Sequence, residues 1–330
     1  MKNKNTYIVA EIGINHNGSK KTLFKLIDEA KRAGANAVKF QLYKASTLAN
    51  PSDNIKKNYF SFKKKETLYQ MWNRLRIKDS WIKEISEYTN KIKIDLGFSI
   101  FDIKSLNKLK GINYEFIKIA SGDINDHYLI KKILNKKKII ILSTGMAYNN
   151  EIKKTCKIIG KNRFYLLHCI SLYPTLVNEV NLQRMISLKK FTKNVGFSDH
   201  TLGPMASIKA ISLGAKVIEK HFTYDKKAEG PDHKSSANFD ELKLICDFSK
   251  ENKKYLGDGL IDPRKREREM RKFARKSLFA KKKISIGEKF TVNNIETRRP
   301  GIGVSVNNFE SYLSKYSKKR YSKGDAIKIT

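Results

Sequence analysis

The chain has 330 residues and 40% hydrophobic content, enough for one large domain with a sizeable core and a smaller one attached. Its 68 Lys and Arg stand against 32 Asp and Glu, a net charge of +36. The lysines are spread along the whole sequence, so a dedicated nucleic-acid stripe is set aside in favour of lysines that solvate helix faces. No run approaches ~18 consecutive apolar residues, which excludes a hydrophobic membrane-spanning helix.

The opening, MKNKNTYIVAEIG, passes from a short polar leader into a strand without the apolar segment of a signal peptide. β-rich apolar runs then follow at near-regular spacing: YIVAEIG (7–13), AVKFQ (37–41), DLGFSI (95–100), FIKIAS (116–121), IIILSTG (139–145), YLLHC (165–169), VGFSD (195–199) and VIEKHF (217–222). Between most of them lie stretches such as KKTLFKLIDEAKRAG, with apolar residues at helical spacing and a terminal glycine. Eight strand–helix units in about 255 residues predict a closed (β/α)8 TIM barrel. A doubly wound open sheet is disfavoured because no Gly-x-Gly-x-x-Gly follows the first run. The 42–94 segment exceeds a simple connection and holds Tyr59, Phe60, Tyr69, Trp72 and Trp81. It is read as an elaborated loop over one barrel end plus a helix. Two domains and a linker are read: a barrel at 1–257, a charged and partly helical linker at 258–276 (DPRKREREMRKFARK), and a compact unit of short strands and turns at 277–330. Cys156, Cys169 and Cys246 are scattered and odd in number, so neither a disulfide framework nor a zinc knuckle fits, and a reducing, cytoplasmic compartment is expected.

Barrel enzymes work at the C-terminal strand ends, and here those ends are polar. In order they offer Glu11, Asn15 and His16; Lys39 and Gln41; Lys118, Ser121 and Asp123; Ser143 and Thr144; His168, Ser171 and Tyr173; Ser198, Asp199 and His200; and Glu219 and His221. Any one of these has an ordinary structural reading: a satisfied core histidine, a snorkelling Lys39, a Lys118 paired with a barrel glutamate. Glu219 and Lys220 alternate in direction, so one of them faces the helices. The joint pattern carries more weight. Two buried lysines with serines around them predict an enclosed phosphate or carboxylate. His200 and His221, closing neighbouring strands, predict a divalent ion whose sphere water and a substrate oxygen complete: Mn²⁺ first, with Mg²⁺ or Co²⁺ as alternatives.

The motifs AEIGINHNG, KFQ, KIASGD, STGM, LHCISLYPT, GFSDHTLG, GAKVIEKHFT, GPDHKSS and RRPGIG resemble, in order, those of the N-acetylneuraminate (sialic acid) synthase family, which includes legionaminate and pseudaminate synthases. The resemblance runs over nearly the whole chain, weakest at 42–110, and extends to a C-terminal antifreeze-like (SAF) domain. It implies condensation of phosphoenolpyruvate with N-acetylmannosamine or a related N-acetylated hexosamine, with release of phosphate. It implies phosphoenolpyruvate contacts from Lys39, Ser99, Lys118, Ser121, Ser143, Ser171 and Ser198, and sugar contacts from Glu11, Gln41, Tyr173 and Asp232. Glu11, Lys39, Lys118 and Asp123 fall at catalytic positions, and His200 and His221 at the metal. Arg299 matches an arginine that reaches a partner's barrel, which implies a domain-swapped homodimer. FSIFD stands where the family has Ser-Thr-Pro-Phe-Asp, and Asp123 where glutamate is common. Alternatives are another phosphoenolpyruvate-dependent aldehyde condensation, an aldolase, and a basic polyanion-binding protein with an inactive barrel. An aldolase using a Schiff base would need no metal, and the paired histidines argue against it. A polyanion binder would gather its charge on one face, whereas here it is scattered.

Overall fold

The computed structural model describes residues 5–52, 66–160 and 164–328. Its strands are β1 (Tyr7–Gly13), β2 (Ala37–Leu42), β3 (Asp95–Ile100), β4 (Phe116–Ile119), β5 (Ile139–Ser143), β6 (Phe164–Cys169), β7 (Val195–Asp199) and β8 (Val217–His221). They pair in parallel in sequence order and close, β8 against β1, into a barrel. The runs are almost continuously apolar because both faces are covered, by helices outside and by other strands inside. β4, β5 and β8 stop at Ile119, Ser143 and His221, short of the runs read from sequence. Past those points the chain leaves the ladder: Ser121–Asp123 forms a 3₁₀ turn.

The helices carry the stop and start chemistry that their sequences advertise. Lys20–Ala33 begins at Ser19, whose side chain accepts from the Thr22 amide, and ends at Gly34, whose φ of 94° a side chain would resist. Phe239–Leu256 opens on a reciprocal Asn238–Glu241 capping box. Among the described residues between β2 and β3 lie three helices, Ala45–Leu48, Leu68–Leu75 and Asp79–Lys91. Trp72 sits on the second and Trp81 on the third, where it is buried edge-on to His16. Tyr69 is on the second as well; Tyr59 and Phe60 lie outside the described residues.

Inside the barrel, Tyr7, Val9, Ala37, Phe116, Ile141, Tyr165, Leu167 and Val217 form one apolar cluster. This layer fills the N-terminal end. Gly97 on β3 gives Phe116 its space, since a Cβ there would lie 2.1 Å from the ring. Because strand side chains alternate in direction, residues two positions onward face the same interior, nearer the other end.

The chain divides into two compact units, Met1–Gly257 and Asp258–Thr330. The second opens with an exposed helix, Lys265–Ala274, inside the stretch read as linker. It continues with an antiparallel pair, β9 (Ser277–Ala280) and β10 (Ile295–Arg298). A small core of Leu278, Ile284, Phe290, Ile295, Val304, Tyr321 and Ile327 holds it together.

Candidate active site

Two residues beyond the apolar floor on β1, β2, β4, β5 and β8 come Glu11, Lys39, Lys118, Ser143 and Glu219. Four of them form a buried charge quartet. Lys39 Nζ lies 2.6 Å from Glu11 Oε2 and 3.8 Å from Glu219 Oε2; Lys118 Nζ lies 3.3 Å from Glu219 Oε1. Ser99 accepts from Lys39 Nζ at 2.6 Å, Ser198 donates to Glu219 at 3.0 Å, and Gln41 donates to Glu11 at 3.0 Å. The two lysines therefore have carboxylate partners from the protein itself. Their burial alone does not demand an outside anion, which is a correction to the argument from sequence. Glu219 was the residue whose direction the sequence left open, and it is the inward one of its pair. Its signal was the period-two alternation that puts it on the same face as His221.

Electrostatics still leave the quartet leaning positive. Burial opposes charge on Glu219, but the Lys118 and Lys39 ammonium groups and the Ser198 hydroxyl overcome it and hold its pKa down at about 2. Glu11 goes the other way: burial raises its pKa, the Lys39 charge opposes this, and the Glu219 charge adds to it. One carboxylate is firmly ionised and the other is drawn towards its neutral form, against two ammonium groups.

Beside Lys118 the loops after β4, β5 and β6 make a hydroxyl cradle. Ser121 Oγ accepts from the Gly145 amide at 3.0 Å. A Cβ on Gly145 would lie 2.3 Å from Ser171 Oγ and 2.8 Å from Ser121 Oγ, so only glycine lets the two hydroxyls converge. Ser143 Oγ is buried without a hydrogen-bond partner among the described residues. The geometry suits an oxyanion group with several acceptor oxygens. Asp123 ends the 3₁₀ turn after β4; burial pushes its pKa up to about 6, with Asp126 adding and Lys118 opposing.

Towards the open end stand the two histidines, with ring centroids 5.8 Å apart. Tyr173 lies against His200 at 4.0 Å and meets His221 edge-on at 5.9 Å. His200 Nδ1 is 2.7 Å from the Ile170 carbonyl. A carbonyl can only accept, so Nδ1 carries a proton and Nε2 is the atom that can present a lone pair. Burial opposes charge on the ring, but Cys169 and this carbonyl overcome it and raise its pKa. Cys169 Sγ, 3.7 Å from the same Nδ1, is a neighbour that the scattered cysteines gave no reason to expect. Burial, the His200 charge and the Lys39 charge hold His221 well below the usual imidazole pKa, so it is neutral. Its Nδ1 is 3.6 Å from Asp232 Oδ2 and has no hydrogen-bond partner among the described residues. Burial, reinforced by Glu11, pushes Asp232 up to about 7. Two imidazoles, one neutral and the other oriented by a backbone carbonyl, fit a divalent ion, which would take the place of the proton at His200 Nε2. Among the described residues no third His, Cys, Asp or Glu completes an enclosing group, so such an ion would keep positions open.

The structure thus brings Glu11, Lys39, Gln41, Ser99, Lys118, Ser121, Ser143, Ser171, Tyr173, Ser198, His200, His221 and Asp232 to one barrel mouth. It turns two others away. His168 points outward, bonded through Nε2 to the Val180 carbonyl and stacked on Phe197. Asp199 also points outward, to Lys220. Arg299 belongs to the second unit and is exposed.

Polar groups gathered from the strand ends of a closed parallel barrel, above a filled floor, define a (β/α)8 enzyme. The NeuB family model matches residues 26–260 and the SAF domain model residues 275–329. The chain therefore belongs to the NeuB family, the sialic (nonulosonic) acid synthases. It is 40% identical over 98% of its length, and 99% of the relative's, to the N,N'-diacetyllegionaminic acid synthase of Campylobacter jejuni. It is 37% identical to the pseudaminic acid synthase of the same species, covering 98% of this chain and 96% of the other. Among solved structures, the sialic acid synthetase of Leptospira borgpetersenii in complex with citrate matches with a TM-score of 0.73 and 32% identity, covering 81% of this chain and 90% of that one.

Proposed function

We propose that the chain condenses phosphoenolpyruvate with an N-acetylated hexose that carries a second acetamido group, yielding an N,N'-diacetylated nonulosonate. The observation that carries the condensation is the stacking of two sites in one mouth: a positive, hydroxyl-lined cradle beside a pair of imidazoles. Support for the second acetamido group is the 40% identity to the diacetyllegionaminic acid synthase.

In this reading Lys118, Ser121, Ser143 and Ser171 hold the phosphate, and Lys39, with Ser99 and Ser198 beside it, holds the carboxylate. Glu11, Gln41, Tyr173 and Asp232 orient the open-chain sugar above them. His200 and His221 would hold a divalent ion, Mn²⁺ first, which when bound supplies a Lewis acid for the aldehyde oxygen. C3 of phosphoenolpyruvate bonds to the aldehyde carbon, and C2 is quenched by water. The C2–O bond to phosphate then breaks, leaving the ketone. Of the two water protons, one ends on the former aldehyde oxygen and one on phosphate. Glu11 and Asp123, both with raised proton affinity, are the carboxyl groups suited to carry protons. Arg299 of a partner subunit completes the sugar site in a cytoplasmic, domain-swapped homodimer.

The test is phosphate release from phosphoenolpyruvate with Mn²⁺ and a panel of sugars. The panel comprises N-acetylmannosamine, its 6-phosphate, and diacetamido-trideoxyhexoses of legionaminate and pseudaminate configuration. Highest kcat/KM with the legionaminate-type sugar is expected. Preference for N-acetylmannosamine would reject the second acetamido group, and no phosphate release with any sugar would reject the condensation.

A further inference from the structure

A second buried ion pair lies on the other side of the same two strands. Asp199 and Lys220 are register partners on β7 and β8, and theirs is the last rung of that ladder. Their side chains are fully buried outside the barrel, with Nζ 3.0 Å from Oδ2. Each stands immediately before a histidine of the mouth. Neither faces the interior, so neither touches a substrate. Asp199 Oδ1 accepts from both the amide and the hydroxyl of Thr201 at 2.8 Å, and Oδ2 accepts from Ser207 at 2.6 Å. Lys220 Nζ reaches past its partner to the Thr201 carbonyl at 2.6 Å. The residue after His200 is thus gripped at its amide, its hydroxyl and its carbonyl. The His200 carbonyl itself accepts from the Thr175 amide at 3.0 Å.

We infer that Asp199 and Lys220 are positioning residues that fix the separation of the His200 and His221 imidazoles for a divalent cation, an inference that rests on the metal reading given above. Beyond the last rung no backbone pairing of β7 with β8 places His200 relative to His221, which its own pairing with Glu11 on β1 holds. The salt bridge and its grip on Thr201 supply that constraint from behind. An apolar pair of equal volume would bind strands to helices at least as well. What it would lack is direction: six polar contacts converge on the peptide segment that carries His200.

Mn²⁺ binding reads this without turnover. Full-length protein is titrated with Mn²⁺ alone and free Mn²⁺ is followed by its paramagnetic resonance signal; inorganic phosphate is titrated in parallel by calorimetry. Lys220→Met and the charge-free double variant Asp199→Asn with Lys220→Met are expected to bind Mn²⁺ about 10–100-fold more weakly, with phosphate affinity held within about twofold. Lys220→Arg, which keeps the charge and the donors, is expected to recover most of the Mn²⁺ affinity. Should the single variant fail to fold, the double variant, which strands no charge, carries the comparison. Unchanged Mn²⁺ affinity in the folded double variant overturns the inference, as does an equal loss of phosphate affinity, which marks general loosening. A double variant that does not fold also overturns it, since the pair is then a support of the fold. If the unaltered protein binds no Mn²⁺, it is the metal reading that fails.

Discussion

Glu219 meets both buried lysines, through a different oxygen each, and an incoming phosphate must compete with it for Lys118. Replacing it with glutamine keeps the shape and removes the charge. Stability is expected to fall by about 3–5 kcal/mol, the usual result of leaving a buried charge unpaired. Inorganic phosphate should then raise the melting temperature more in Glu219→Gln than in the unaltered protein, because the anion now supplies the missing charge. A variant that gains no extra stabilisation from phosphate would show that the cradle lies elsewhere. The histidines act differently. His200→Ala or His221→Ala is expected to lower kcat/KM on the order of 10³-fold, about 4 kcal/mol of transition-state stabilisation. The check is turnover with chelator and with Mn²⁺ restored, and full activity in excess chelator would remove the metal from the reaction. Asp123 offers a pH test. Its pKa rises from 3.8 to about 6 on folding, so its contribution to stability is complete below pH ~4 and is lost as pH rises through ~6. Against Asp123→Asn, the unaltered protein should lose up to about 3 kcal/mol between pH 4 and 7. Parallel stability curves for the two proteins across that window would contradict the shift.

At the scale of elements, the loop after β5 has the sharpest requirement. Gly145→Ala places a methyl between Ser121 and Ser171. It should weaken phosphate binding about tenfold or more while moving the melting temperature little, because the methyl meets two serine hydroxyls that can turn away rather than backbone. Gly196 within β7 is the contrast. A Cβ there would lie 2.2 Å from the Val217 carbonyl, so Gly196→Ala should push β7 from β8 and destabilise the whole barrel. Thermal denaturation and phosphate calorimetry on both variants separate the two roles. The strands themselves were legible because each is covered on both faces, which writes β-rich apolar runs between helical stretches. Their polar ends were legible for the complementary reason, that hydrophilic groups interrupt apolar runs at matching depth. The partnerships were not. That Glu219 serves both lysines, that Cys169 meets His200, and that Asp199 turns outward to Lys220 all depend on register and closure, which no local pattern encodes. The His168 ring, singled out at a strand end, serves the helix layer.

At the scale of the whole molecule, the proposed trans role of Arg299 is decided by mixing chains. Arg299→Ala and His221→Ala proteins, each inactive alone, are combined under conditions that exchange subunits. If the arginine serves a partner's barrel, a mixed dimer holds one barrel with both intact groups, and part of the activity returns. No return, with exchange shown independently, would place Arg299 in its own chain's site or outside catalysis. The filled floor bears on the order of events in any such barrel. Among the described residues, Tyr7, Phe116, Tyr165 and their neighbours fill the N-terminal end of the barrel. The lysines that would hold phosphoenolpyruvate lie deep, 3% and 4% exposed, while Tyr173 at the rim is 49% exposed. On the proposed assignment traffic would be single file: the phosphorylated guest would be seated before the sugar closes the aisle, and a sugar that arrives first would block the seat behind it. Raising the sugar concentration should consequently slow turnover by trapping empty barrels, and added phosphoenolpyruvate should relieve the blockade.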